Sequence, residues 1–277
     1  MMNSMQNYLK FWGTRGSCSV SGPEYSHFGG NSCCLEIRYE DTHIVIDAGT
    51  GIRPLGEVFM NEKIHKIDLL VSHTHWDHLI GFPFFDPIYH KEYTITIWAP
   101  QGLKKNGKDL FGDLLAQDFF PVSLDEIQAT LKFKTIREHQ PIQFGKLSID
   151  FQKTNHPGHT LCFKITTPHQ VISYVTDNEI NHTNQSEFIA FHKNTDILIH
   201  EAQYIAEEYH LKTGWGHSSL DDAIRLVNGI HPSEWLVTHH DPKHSDTDLR
   251  ELEKIAQQSN LCCPVQWIAD GHVILLK

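Results

Sequence analysis

Residues 71–78 read Val71-Ser72-His73-Thr74-His75-Trp76-Asp77-His78 and continue directly from the apolar run Ile67–Val71. A short apolar run with polar residues on either side reads as a buried strand, and this one runs out into imidazoles and a carboxylate. In extended chain, residues i and i+2 project to one side. His73 and His75 can therefore share one ion while Asp77 and His78 turn toward a second. In a chain of this composition such a pattern arises by chance on the order of once in a hundred. Three nitrogen donors with one open position suit a catalytic ion better than a structural one.

Such a site needs donors from elsewhere, and candidates stand at other strand ends. His156 follows the run Leu147–Thr154, Asp177 follows Val171–Thr176, and His239 follows Trp235–Thr238. Taken alone, an Asp after a strand is ordinarily a turn or cap residue. Beside the 71–78 stretch, the three together supply what two ions lack. His159 competes with His156, which is preferred because Asn155-His156 leaves its strand directly. His240 competes with His239 in the same way.

Working outward, further short β-type runs occur at Tyr8–Trp12, Cys33–Tyr39, His43–Asp47, Tyr93–Ala99, Lys132–Ile136, Leu161–Thr166, Asp196–His200, Val265–Ala269 and His272–Leu276. Helical patterns occur at Ser219–Gly229 and Asp246–Ser259. Strands dominate early and alternate with helices later, so the class is α/β. Ser219 followed by Asp221 and Asp222 reads as a helix N-cap with acids in the first turn. No Pro/Gly/Ser linker divides the chain, so residues 1–277 are read as one domain. Within it, the aromatic, proline-broken stretch 81–127 reads as an insertion or lid, or equally as local core, since aromatic clusters are usually packing.

The 277 residues are 40% hydrophobic and 21% charged, which excludes collagen-like, coiled-coil and disordered classes. The net charge of −11 argues against a long grip on nucleic-acid backbone, which needs a basic surface. Histidine is abundant, at 21 against 23 Lys and Arg. Cys18, Cys33, Cys34, Cys162, Cys262 and Cys263 lack disulfide or zinc-knuckle spacing and read as buried thiols in a reducing compartment. No apolar run approaches the roughly 18 residues of a membrane span, and the first residues lack a signal-peptide pattern. A cytoplasmic address with no membrane partner is therefore expected.

The segments FWGTRGS (11–17), HFGGNSCCLEI (27–37), VIDAGTGIRPLGE (45–57), SHTHWDH (72–78), NHPGHTLCFKI (155–165), YVTDNE (174–179), HEAQY (200–204), GWGHSS (214–219) and THHDPKHSD (238–246) occur in this order. Together they resemble the metallo-β-lactamase-fold metal-dependent hydrolases, and most closely the branch containing ribonuclease Z and the phosphonate-pathway cyclic phosphodiesterases. The resemblance implies a four-layer αββα sandwich with its site at one edge of two sheets. It implies two divalent ions, zinc before manganese: His73, His75 and His156 on one, Asp77, His78 and His239 on the other, and Asp177 bridging. Asp47 matches a position that supports such a site by hydrogen bonding, and the family pattern favours His239 over His240. His159 is a departure, since relatives commonly have a small residue there.

The resemblance further implies hydrolysis of a compact phosphodiester, such as a cyclic nucleotide or cyclic phosphate ester. Hydroxide would attack with Asp77 in the metal site, and His217, outside the ligand set, would protonate the leaving oxygen. Ser218 and Ser219 with the helix N-terminus, Asn31, His159, Arg15 and Lys243 are the candidate substrate contacts. The alternatives are a thioester or lactam hydrolase of the same fold, or a non-catalytic metal scaffold. Relatives commonly dimerise, so a homodimer is expected.

Overall fold

The computed structural model describes residues 6–180 and 185–277. The first half runs β1 (Tyr8–Gly13), β2 (Cys34–Tyr39), β3 (Thr42–Ile46), α1 (Ile52–Glu62), β4 (Lys66–Leu70), β5 (Thr94–Pro100), α2 (Gly107–Leu114) and β6 (Thr130–Ile136). It continues with β7 (Ile142–Phe144), β8 (Leu147–Lys153), β9 (Leu161–Thr166), β10 (Val171–Val175), α3 (Gln185–His192), β11 (Ile197–Glu201) and α4 (Ala206–Tyr209). The chain closes with α5 (Leu220–Ile230), β12 (Glu234–Thr238), α6 (Asp246–Gln258), β13 (Val265–Trp267) and β14 (Val273–Leu275).

The strands form two sheets of order β14-β1-β2-β3-β4-β5-β6 and β13-β12-β11-β10-β9-β8-β7. In both, tight hairpins give antiparallel neighbours, while β3 to β6 and β10 to β13 run parallel. Parallel neighbours need a crossover, and α1, α3, α5 and α6 fill several of these. β1 alternates half-buried and buried positions, sending Leu9 and Phe11 inward, whereas β11 is buried throughout, as befits a strand covered on both faces.

Three apolar clusters define the layers. Leu9, Phe11, Ile37 and Ile46 from the first sheet meet Ile149, Phe151, Phe163 and Ile172 from the second, so the main core lies between the sheets. On the outer face of the first sheet, Ile52, Leu55 and Phe59 of α1 and Phe111 of α2 pack over Val45, Leu69 and Ile95. On the outer face of the second, Leu220, Leu226 and Val227 of α5 and Leu249 and Leu252 of α6 cover Val175, Leu198 and Val237. The arrangement is the expected αββα sandwich.

The stretch 81–127 contributes to the core of the first sheet. β5 lies inside the first sheet, paired with β4 on one side and β6 on the other. Phe82, Phe85 and Ile88, in the proline-broken turns, are fully buried beneath α1. Pro83 and Pro87 stand in the first turn of two short 3₁₀ helices, Phe82–Phe84 and Asp86–Tyr89, so an aromatic core segment looks irregular in sequence. Burial also corrects the reading of the cysteines: Cys33, Cys34 and Cys162 are buried, but Cys18 and Cys262 are exposed, and all six are free thiols. No helix among the described residues is long and apolar enough to cross a membrane.

Ser219 caps α5. Its Oγ accepts the Asp222 backbone N–H at 3.1 Å and donates to Asp222 Oδ2 at 2.6 Å. Ser219→Ala removes both contacts and is expected to lower stability by about 1 kcal/mol. Urea unfolding should show a lower midpoint with unchanged slope; an unmoved midpoint would mean the cap contributes nothing.

Candidate active site

Strand ends at one edge of the two sheets converge on a single cluster. Asp47 leaves β3 in the left-handed region, at φ 65°, which turns its carboxylate across the end of β4. There Oδ1 accepts the Ser72 N–H at 2.7 Å, and Oδ2 accepts the Ser72 hydroxyl at 2.8 Å. The same Oδ2 lies 2.8 Å from His78 Nδ1. His73 Nδ1 sits 3.1 Å from the Ser72 hydroxyl, and His156 Nδ1 sits 2.9 Å from the Gly216 carbonyl. Holding Nδ1 as the donor leaves Nε2 as a lone-pair donor to an ion. Three rings from two segments, 72–78 and 155–165, are thus oriented toward one centre.

Gly216 is required for this approach. Its φ is 91°, and a Cβ there would lie 2.3 Å from His156 Nδ1, so any side chain would displace the ring its carbonyl anchors. Glu179 ties down the same loop, accepting the N–H groups of Gly214 at 2.8 Å and Gly216 at 3.0 Å. The Tyr209 hydroxyl also donates to Glu179, at 2.8 Å.

At the centre, His156 Nε2 is 3.0 Å from His75 Nδ1. Asp177 Oδ1 is 3.8 Å from both His73 Nε2 and His156 Nε2 and 3.3 Å from His239 Nε2, while its Oδ2 is 3.3 Å from His78 Nε2. Asp77 Oδ2 is 3.2 Å from His78 Nε2 and 3.4 Å from His239 Nε2. Donors at 2.0–2.1 Å from a tetrahedral ion stand about 3.3 Å from one another, which is the spacing seen here. Two triads emerge, His73/His75/His156 and Asp77/His78/His239, with Asp177 in reach of both.

Hydrogen bonding tests whether an ion fits. His73 Nε2, His78 Nε2, both nitrogens of His239 and Asp177 Oδ2 are buried without a hydrogen-bond partner. Each such orphan costs about 1–3 kcal/mol, and they crowd into one place. A divalent cation would take up these lone pairs, so the donor set fits a metal.

The electrostatics agree. Burial alone would raise Asp77 and Asp177, but surrounding imidazoles, His78 for the first and His239 for the second, hold both carboxyls well below their ordinary range. Burial pushes His73 well below the imidazole value and His156 down to about 4. For His78 and His239 burial opposes charge, yet the neighbouring Cys33, Asp77 and Asp177 groups pull both well above it.

His217 lies beside this cluster, stacked on His239 with ring centroids 5.1 Å apart. Its Nδ1 is 3.1 Å from Glu201 Oε1, and the same oxygen accepts the Asn178 N–H at 2.8 Å. Glu201 is fully buried, and burial raises its pKa while His217 opposes the rise. Ser17, Thr74, His75, Trp76, Asp77, Asp177 and His217 line a pocket of about 370 Å³. The Ser17 N–H donates to Asp77 Oδ2 at 2.8 Å.

The structure therefore gathers His73, His75, Asp77, His78, His156, Asp177, His217 and His239, with Asp47 behind them, and it separates the competitors. His159 lies against Gly102. His240 Nε2 is 2.8 Å from the Ile268 carbonyl, and burial holds its pKa down to about 3.

The expected substrate contacts are not brought into this pocket. Ser218 is buried and donates to the Asn178 carbonyl at 2.5 Å, and Ser219 is consumed by its cap. The Asn31 side chain accepts from Thr50 Oγ1 at 3.2 Å, and its N–H donates to Asp270. Arg15 is fully buried, its Nε donating to the Gly29 carbonyl at 2.8 Å and Nη1 to that of His244 at 2.7 Å. Lys243 is an exposed turn residue. Arg15, Asn31 and Ser218 are thus satisfied by groups remote in sequence rather than turned into the pocket.

Sequence reasoning missed Glu201, Glu179 and Cys33. Glu201 ends β11, so the strand-end argument that singled out Asp177 would have found it. Cys33 lies with Asp77, His78 and His239, all four ligand atoms within 4.8 Å of one another; nothing in its spacing signalled this.

Two sheets face to face, helices outside and a His/Asp cluster at one sheet edge define a metal-site sandwich of the metallo-β-lactamase type. The chain belongs to the β-lactamase superfamily domain family, whose model matches residues 42–240. It is 25% identical over 206 residues to the "Probable metallo-hydrolase YhfI" of Bacillus subtilis (strain 168), covering 72% of this chain and 75% of that protein. The crystal structure of YhfI superposes with a TM-score of 0.72 at 20% identity, over 97% of this chain and 99% of the other. A diphosphatase from the PhnP family gives a TM-score of 0.72 at 15% identity, over 98% of each chain. Ribonuclease Z of Staphylococcus aureus (strain JH9) is 30% identical over 67 residues, 24% of this chain and 22% of that enzyme.

Proposed function

We propose that this chain is a metal-dependent hydrolase of compact phosphodiesters, with a cyclic nucleotide or cyclic phosphate ester as the substrate class. The observation that carries this reading is the buried Glu201–His217 pair opening onto the same pocket as the two ligand triads. A phosphate ester needs charge neutralised on its phosphoryl oxygens and a proton for its leaving oxygen, and this pocket sets the two capacities side by side. The likeness to a diphosphatase and to ribonuclease Z supports phosphoester chemistry. The net charge of −11 and the size of the pocket support a small substrate over a polymer.

When bound, divalent ions supply hydroxide at neutral pH and Lewis acidity toward the phosphoryl group. A nitrogen-rich set with two carboxylates suits zinc first and manganese second. His73, His75 and His156 would hold one ion and Asp77, His78 and His239 the other, with Asp177 in reach of both. Asp47, Ser72 and the Gly216 carbonyl keep the rings facing inward. Glu201 engages His217 Nδ1 and so directs Nε2 toward substrate, where it delivers a proton to the leaving oxygen.

The test is a side-by-side assay of the zinc- and manganese-loaded protein on bis(p-nitrophenyl) phosphate, cyclic mono- and dinucleotides, and aryl thioesters. Turnover of phosphodiesters is expected. Thioester turnover with none on phosphate esters would move the chain to acyl hydrolysis, and bound metal with no turnover of either would leave a scaffold.

A further inference from the structure

The site does not end at Trp76. A second cavity of about 470 Å³ opens beside the metal pocket, and the two share Thr74 and Trp76 as walls. Its remaining walls come from the turns after the motif and from α2 and the segment that follows, among them Ile80, Phe84, Leu110, Leu114, Phe119 and Phe120. Trp76 is 77% exposed, Phe84 53% and Phe119 82%. Single exposed apolar residues are ordinary, but large aromatics grouped around one cavity mark a binding surface.

The floor beneath them is rigid. Phe82 and Phe111 are fully buried in edge contact at 4.5 Å, and Phe84 meets Phe120 edge-on at 5.5 Å. Polar groups are few: Thr74, and Asp113, whose carboxylate is paired with Lys105 at 2.5 Å. This cavity offers nothing to a phosphoryl group and ring faces to an aromatic one. The metal pocket is the reverse, polar and lined by His and Asp. A ligand that fills both has an anionic head and an uncharged ring in one molecule.

We propose that the cavity is a subsite for an aromatic ring of the phosphodiester substrate, such as the base of a cyclic nucleotide, with Phe84 and Phe119 as its specificity-determining residues. This rests on the phosphodiester reading and narrows it. Continuity through Thr74 and Trp76 favours part of the substrate over a protein partner, which would close the mouth of the metal pocket.

Calorimetric titration of the zinc-loaded chain with phenylphosphonate and methylphosphonate tests the subsite without requiring turnover. Both probes present the same anionic head and differ by the ring. The phenyl compound is expected to bind about tenfold or more tighter, the margin for burying one ring. In Phe84→Ser/Phe119→Ser that margin should collapse while methylphosphonate affinity is unchanged, which also shows that the variant is folded. Equal affinities in the unaltered chain, binding of neither probe, or a margin that survives the double substitution would overturn the proposal. If the margin holds but no phosphodiester is turned over, the subsite stands and the assigned reaction fails.

Discussion

His217→Ala is expected to lower kcat on a phosphodiester with an alkoxide leaving group by about 10²–10⁴-fold, the usual worth of a positioned proton donor. On a p-nitrophenolate leaving group the loss should be far smaller, because that oxygen departs without needing a proton. The contrast between the two substrates is the diagnostic quantity. His217 also packs against His156 and His239, at centroid distances of 5.0 and 5.1 Å, so its removal could loosen both triads. Elemental analysis separates the two effects: an acid's loss leaves metal content unchanged. Glu201→Gln provides a second reading, since it keeps a polar partner at His217 Nδ1 but removes the buried carboxylate. It should fall between the unaltered chain and His217→Ala, with the same dependence on leaving group. Equal losses on both substrates would remove His217 as the acid and assign it to support of the ligand cluster.

Much of this site was legible because strand ends are where an α/β sandwich gathers its chemistry. A strand buried on both faces has to be mostly apolar along its length, so the polar residues at its end mark the sheet edge. His73, Asp177 and His239 were found by that rule, and Glu201 obeys it equally. What the sequence could not reveal was which loop residues face inward. Arg15 and Asn31 look like ligand contacts on paper, but each is held by groups remote in sequence, His244 and Asp270 among them. Local composition carries no trace of such partners. The helix α1 was missed because Pro54 and Gly56 weaken its propensity, and tertiary packing of Leu55 and Phe59 overrides them. The stretch 81–127 left two readings open for a related reason: its aromatics divide between core and cavity, Phe82 and Phe85 inward, Phe84 and Phe119 outward.

Asp177→Ala should cost the protein metal as well as activity. The carboxylate is the group within 4 Å of members of both triads, reaching His73 and His156 on one side and His78 and His239 on the other. Its Oδ2 is buried without a hydrogen-bond partner, which leaves that oxygen open to an ion. Removing it takes one of the two negative charges that face the ions and leaves the imidazoles to hold a dication with Asp77 alone. Metal content after dialysis is expected to drop by at least one equivalent per chain, and kcat/KM on phosphodiesters by about 10³-fold or more, the scale of losing a metal's contribution to the barrier.

A melting experiment provides a readout independent of turnover. Zinc at 100 times its Kd stabilises the folded chain by about 2.7 kcal/mol, so chelation should lower the Tm of the unaltered protein by several degrees. In Asp177→Ala added zinc should move the Tm little. Asp177→Asn retains the shape without the charge, and if charge is what holds the ions it behaves like the alanine variant. Unchanged metal stoichiometry together with an undiminished zinc-dependent Tm would remove Asp177 from between the two triads and leave each to bind its ion alone.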